Sequence, residues 1–103
     1  MTSGGRLLLL AAAIAASCPA LAAGDAAAGR RNADIWCVGC HQIAEDDKKA
    51  GLIDTPPFSD IAQQRTPEAI RAFLQKPHPA RPQFRLTPKD IDDLAAFIAG
   101  LKK

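Results

Sequence analysis

Apolar residues along this chain fall into one unbroken run and two helical stripes. The run comes first: Leu7 to Leu10 and Ala11 to Ala16 form ten consecutive apolar positions behind a positive Arg6. The stripes come late. Ile70, Phe73 and Leu74 share one face of a helix predicted over Pro67 to Gln75, and Ile91, Leu94, Ala95, Ile98 and Leu101 recur at helical spacing from Pro88 towards Gly100. Both helices open alike. Thr66-Pro67-Glu68 and Thr87-Pro88-Lys89-Asp90 each provide a hydroxyl cap, a proline at the first helical position and an acid in the first turn. An earlier helix is predicted from Asp25 to Cys37, with Asp25 as its cap and alanines supplying propensity. Gly29 costs that helix about 1 kcal/mol relative to alanine, which points to a close helix contact there. Gln42 to Phe58 reads as loop, with a solvated charge cluster at Glu45 to Lys49 and a break at Pro56-Pro57. Ser59 to Gln64 reads as a short turn of helix. Prolines 77, 79 and 82 make the next connection a stiff, extended strap. No β-branched alternation occurs, so the expected class is all-α.

The first run is read as an export signal, because it is too short for a membrane span and Ala20-Leu21-Ala22 follows as a small-x-small cleavage site. The expected division is residues 1–22 as signal peptide and 23–103 as one folded domain. A competing reading makes Cys18 a lipid attachment site, with Ala15 and Pro19 as poor fits to it. After cleavage, 12 basic and 11 acidic side chains remain, a formal charge of +1. That balance lacks the basic stripe of a nucleic-acid binder, and membrane association is not expected once the signal is gone. The length leaves no room for an enzyme with its own substrate lobe.

The domain of 81 residues holds 18 large apolar side chains, a thin core for its size. Chains this small need a staple, such as disulfides, a metal or another bulky fixture. A bond between Cys37 and Cys40 would close too small a loop to restrain the unfolded chain much. Cys37-Val38-Gly39-Cys40-His41 offers another solution, since Cys-x-x-Cys-His is the attachment sequence of c-type haem. Two thiols one helical turn apart can each add to a vinyl group on one porphyrin edge, and the next residue brings an imidazole to the iron. Small Val38 and Gly39 let the backbone lie near the ring. Burying ~400 Å² of macrocycle yields on the order of 10 kcal/mol gross. Three other readings of these residues are a thioredoxin-like redox pair after Trp36, a zinc site of Cys37, Cys40, His41 and His78, and a plain disulfide.

Taken together, residues 24 to 103 resemble a small bacterial class I cytochrome c. The likeness rests on the helix entering Cys37-Val38-Gly39-Cys40-His41, the loop at Pro56-Pro57-Phe58, and the ending Leu86-Thr87-Pro88-Lys89-Asp90-Ile91-Asp92-Asp93-Leu94-Ala95-Ala96-Phe97-Ile98. The resemblance implies a bundle of three main helices around one haem bound through Cys37 and Cys40. It also implies His41 as proximal iron ligand, a proline carbonyl of the Pro56-Pro57 region holding that imidazole, and Gly29 packed against Phe97. The family usually supplies a methionine as second axial ligand from the strap. Here Met1 is the only methionine, and Arg81 stands at the corresponding place. A guanidinium has no lone pair to give iron. The remaining options are His78, an open or water-bound iron, or a lysine such as Lys76 or Lys89. Arg81 faces solvent in one reading and pairs with a haem propionate or a bound ligand in the other.

The expected function is single-electron transfer in the periplasm, between a dehydrogenase or cytochrome complex and a terminal reductase or oxidase. Lys48, Lys49, Lys76 and Lys89 are candidates for a steering rim around the haem edge. The alternative is a haem protein with an open sixth site that binds NO or CO or has minor peroxidase activity. A third reading is a subunit of a larger redox complex.

Overall fold

A computed structural model describes residues 24–46, 51–79 and 85–103. The proposed signal peptide, Cys18, Lys48, Lys49, Arg81 and Phe84 lie outside the described residues. Four helices follow in order: α1 (Ala26–Trp36), α2 (Phe58–Gln64), α3 (Pro67–Leu74) and α4 (Pro88–Ala99). Among the described residues every extended regular element is a helix, and none is long and apolar enough to cross a membrane. The fold is all-α.

The caps form as the sequence requires. Asp25 accepts from the Ala27 and Ala28 amides at 2.9 and 3.2 Å, and Thr66 Oγ1 accepts from Ala69 at 3.1 Å. Thr87 and Asp90 make a reciprocal box: the Asp90 amide donates to Thr87 Oγ1 at 3.1 Å, and the Thr87 amide donates to Asp90 Oδ2 at 3.0 Å. The difference from expectation is α2. The anticipated short turn is a seven-residue helix that starts at Phe58. Pro57 precedes it without a side-chain cap, and burial of Phe58 and Ala62 against α4 holds it in place.

α4 is the hub, packing most extensively on α1 and also on α3 and α2. Ile91, Leu94, Ala95, Phe97 and Ile98 are buried on it, and all but Ile91 join one core cluster with Ala33, Ile43, Phe58, Ala62 and Ile70. Gly29 is where α1 comes closest: a Cβ there would overlap the Asp93 carbonyl and lie 2.8 Å from Phe97 Cβ. The expected Gly29–Phe97 contact is therefore present. Not every apolar residue counted as core is buried. Ile35 is 66% and Ile53 91% exposed, so those two expectations are corrected. Ile35 follows buried Ala33 by two positions and falls on the far side of α1.

Asp93 is a buried carboxylate that pattern reading leaves unassigned. Its Oδ1 accepts from the Asp25 amide at 2.8 Å and its Oδ2 from Lys89 Nζ at 2.6 Å, tying the start of α1 to α4. The Lys89 hydrogen bond first, then the Asp25 amide, holds the Asp93 carboxyl below its usual range. A depressed carboxyl contributes stability above its unfolded pKa of 3.8 and loses it as pH falls through the lower folded value. The substitution Asp93→Asn removes the charge and should cost about 1–3 kcal/mol at neutral pH, with the deficit narrowing in acid. Urea unfolding curves at pH 7 and pH 3 check this; a constant deficit would contradict it.

Candidate functional site

Cys37 caps α1, its amide donating to the Ala33 carbonyl at 2.9 Å. The chain then keeps turning. The amides of Cys40 and His41 both donate to the Cys37 carbonyl, at 3.1 and 2.9 Å, which places the two thiols one turn apart. The following loop is stitched back onto this turn. The Leu52 amide donates to the Cys40 carbonyl at 2.8 Å, and the Phe58 amide to the Gln42 carbonyl at 2.9 Å. Gly51 permits that approach, since a Cβ there would sit 2.8 Å from the Cys40 carbonyl oxygen.

This stitching brings Pro56 to His41. The His41 Nδ1 lies 2.7 Å from the Pro56 carbonyl oxygen. A carbonyl only accepts, so Nδ1 carries the proton and Nε2 keeps its lone pair. An acceptor of this kind behind a metal-ligating imidazole orients the ring and raises its basicity. Of the Pro56-Pro57 pair, Pro56 holds the ring, while Pro57 stands immediately before α2.

Cys37, Cys40, His41, Pro56 and His78 all line one cavity of about 320 Å³. Its walls are apolar and come from all four helices, including Phe58, Ile61, Ile70, Leu74, Leu94 and Ile98. Trp36, Leu52 and Phe73 also line it, at 45%, 58% and 42% exposure. They face the cavity instead of packing inside a polypeptide core. The donor set and walls fit a flat apolar macrocycle carrying a metal: two thiols on one wall, an imidazole whose Nδ1 is held by a backbone carbonyl, and hydrophobic faces.

The competing chemistries do not fit. Both cysteines are free. Burial, and next the neighbouring Cys40, pushes the Cys37 thiol up to about 11, whereas a redox nucleophile needs its pKa lowered. Among the described residues no three His, Cys, Asp or Glu side chains form a shell for a lone metal ion.

Two sequence expectations change. Lys89 pairs with Asp93 and does not line the cavity, so it is neither a rim charge nor a donor to a metal there. Lys76 borders a small side recess with Phe73, Leu74, His78 and Leu86. Arg65 and Asp54, which pattern reading passed over, are the charged residues among the described cavity lining. The Arg65 guanidinium lies 5.9 Å from the Phe73 ring centre. Its position just before the Thr66 cap gave no signal, because an isolated arginine in a connection reads as solvated.

Comparison with known proteins bears on the same residues. A family model described as cytochrome c oxidase, cbb3-type, subunit III matches residues 24–98. A protein named cytochrome c-552, from Bradyrhizobium diazoefficiens, is 34% identical over 99 residues, covering 94% of this chain and 94% of its own length. No solved structure matches.

Proposed function

This chain belongs to the c-type cytochromes, the electron-transfer proteins that carry covalently attached haem c, and from that premise we propose how its own residues bind the group and use it. Cys37 and Cys40 would hold the group through their two sulfurs, and His41 Nε2 would offer its lone pair to the iron. The observation that carries this assignment is the 2.7 Å contact between His41 Nδ1 and the Pro56 carbonyl, beside both thiols on one cavity wall.

When bound, haem c supplies reversible one-electron chemistry at iron. The chain's contribution is to make that change of charge cheap. Pro56 fixes the imidazole in one tautomer and orientation, so its donor nitrogen would stay aimed at a bound iron. Phe58, packed 5.2 Å from the His41 ring, and the apolar walls keep water from reorganising around the centre. Trp36, Leu52 and Phe73 are partly exposed at the cavity, leaving an edge close to solvent through which a partner exchanges electrons.

The protein is an electron carrier and not an enzyme in this reading. Residues 1–22 direct export and are removed, and residues 23–103 work in the periplasm between a donor dehydrogenase or cytochrome complex and a terminal reductase or oxidase. The apolar leader and the Cys-x-x-Cys-His sequence support the location, since haem attachment follows export in this reading. A redox titration of the purified protein followed in the visible spectrum tests it: one reversible one-electron wave is expected, with an N-terminus at Ala23. A chain retained in the cytoplasm with an intact leader would overturn the location, and irreversible or absent redox change would overturn the carrier role.

A further inference from the structure

We infer that His78 is the second axial ligand, so that the iron is held between two imidazoles; this rests on the haem reading of the cavity given above. The His41 and His78 ring centres are 6.2 Å apart, with the ring planes at 81°, and both rings line the same cavity. An imidazole nitrogen bonds a first-row metal at ~2.0 Å and lies ~1.15 Å from its own ring centre, so imidazoles on opposite sides of one metal have centres ~6.3 Å apart. The observed span matches that figure. Two imidazoles joined by a direct N–H···N bond of ~2.9 Å would have centres ~5.2 Å apart, a full ångström closer. The strap thus places His78 at the separation that one metal atom between the two rings would give.

His78 is also oriented. The Phe73 ring meets it edge-on at 5.9 Å and 89°, and it borders a recess lined by Phe73, Leu74 and Leu86. Rival donors are few. Met1 is the only methionine of the chain, and neither Lys76 nor Lys89 lines the cavity. Among the described lining residues, once Cys37, Cys40 and His41 are assigned, His78 is the remaining side chain of a type that ligates haem iron. Two imidazole ligands lower the potential relative to a methionine–histidine pair and fill the site that CO or NO would need. The assignment therefore favours electron transfer over ligand sensing.

An edge-to-face contact between two rings with no metal between them spans a similar distance, so the assignment stands or falls on iron spectroscopy. The protein is made in a host that attaches haem, and wild type, His78→Ala and His78→Met are compared. Covalent haem content by mass is measured in all three. Wild type should be low-spin in both oxidation states, with a near-infrared magnetic circular dichroism band of the bis-imidazole type, and its ferrous form should not change on mixing with CO. His78→Ala should lose the low-spin ferrous spectrum and bind CO within the mixing time. His78→Met should return to low spin at a raised potential. A high-spin wild type that binds CO at once, a near-infrared band of the histidine–lysine type, or an unaltered His78→Ala spectrum overturns the ligand assignment while leaving the thioether reading intact. Haem-free wild type overturns the site reading itself. The wild-type spectra decide the matter even if neither variant folds.

Discussion

With serine at both position 37 and position 40, the exported chain releases all of its haem into acidified organic solvent and shows no cooperative thermal transition by far-ultraviolet circular dichroism. The physical reason is the division of apolar surface in this molecule. The described polypeptide buries ten hydrophobic residues by itself, three of them alanines. Much of the remaining apolar surface, including Trp36, Leu52, Phe73, Ile61 and Leu74, lines the cavity. Covering those walls with the macrocycle yields on the order of 10 kcal/mol, the same size as the whole stability of a small domain, ~5–15 kcal/mol. A serine oxygen does not replace the thiol in forming the thioether, so the group is no longer retained as part of the fold. A sharp melt of the double variant, near that of the native protein, would contradict this account of the core.

The second large effect concerns the α1–α4 crossing. Gly29→Ala should cost roughly 3 kcal/mol or more, although alanine is the better helix former by about 1 kcal/mol. Sterics decide the sign. The added methyl would overlap the Asp93 carbonyl and press on Phe97 Cβ, and backbone on one side with a buried ring on the other leaves no flexible end to move aside. Separating the helices would also strain the Asp93–Asp25 tie and the 3.2 Å hydrogen bond from Asn32 to Asp90. Gly100→Ala is the control: its nearest atoms lie at 3.4 and 3.5 Å, so the change should fall within about 0.5 kcal/mol of the parent. Chemical denaturation of both variants measures the contrast, and equal stabilities would remove the close-packing argument.

Sequence patterning made the scaffold readable wherever the information was local. Thr66-Pro67 and Thr87-Pro88 marked helix starts to the residue, and Asp25 capped α1 as expected. The family resemblance foresaw the proline carbonyl on His41 and the Gly29–Phe97 contact. What stayed hidden depended on distant partners. α2 has no side-chain cap and reads as a turn, and its length comes from Phe58 and Ala62 packing on a helix that begins some thirty residues later. Asp93 sits in a row of acids on an amphipathic helix, and the amide that justifies its burial is 68 positions away. Apolar pattern also cannot distinguish a residue that packs against protein from one that faces a cofactor cavity. Trp36, Leu52 and Phe73 are of the second kind, while Ile53, 91% exposed, is of neither. Lys89 looked like a free surface charge because its partner Asp93 looked solvated too.

Peptide mapping by mass spectrometry of the protein, exported in a host with haem-attachment machinery, tests the central claim most directly. The fragment that spans Cys37 and Cys40 should carry the mass of one haem, unchanged after acid and organic extraction, with no bare copy of the same fragment in the folded fraction. Recovery of that fragment with two unmodified thiols from protein that is still cooperatively folded would contradict the account.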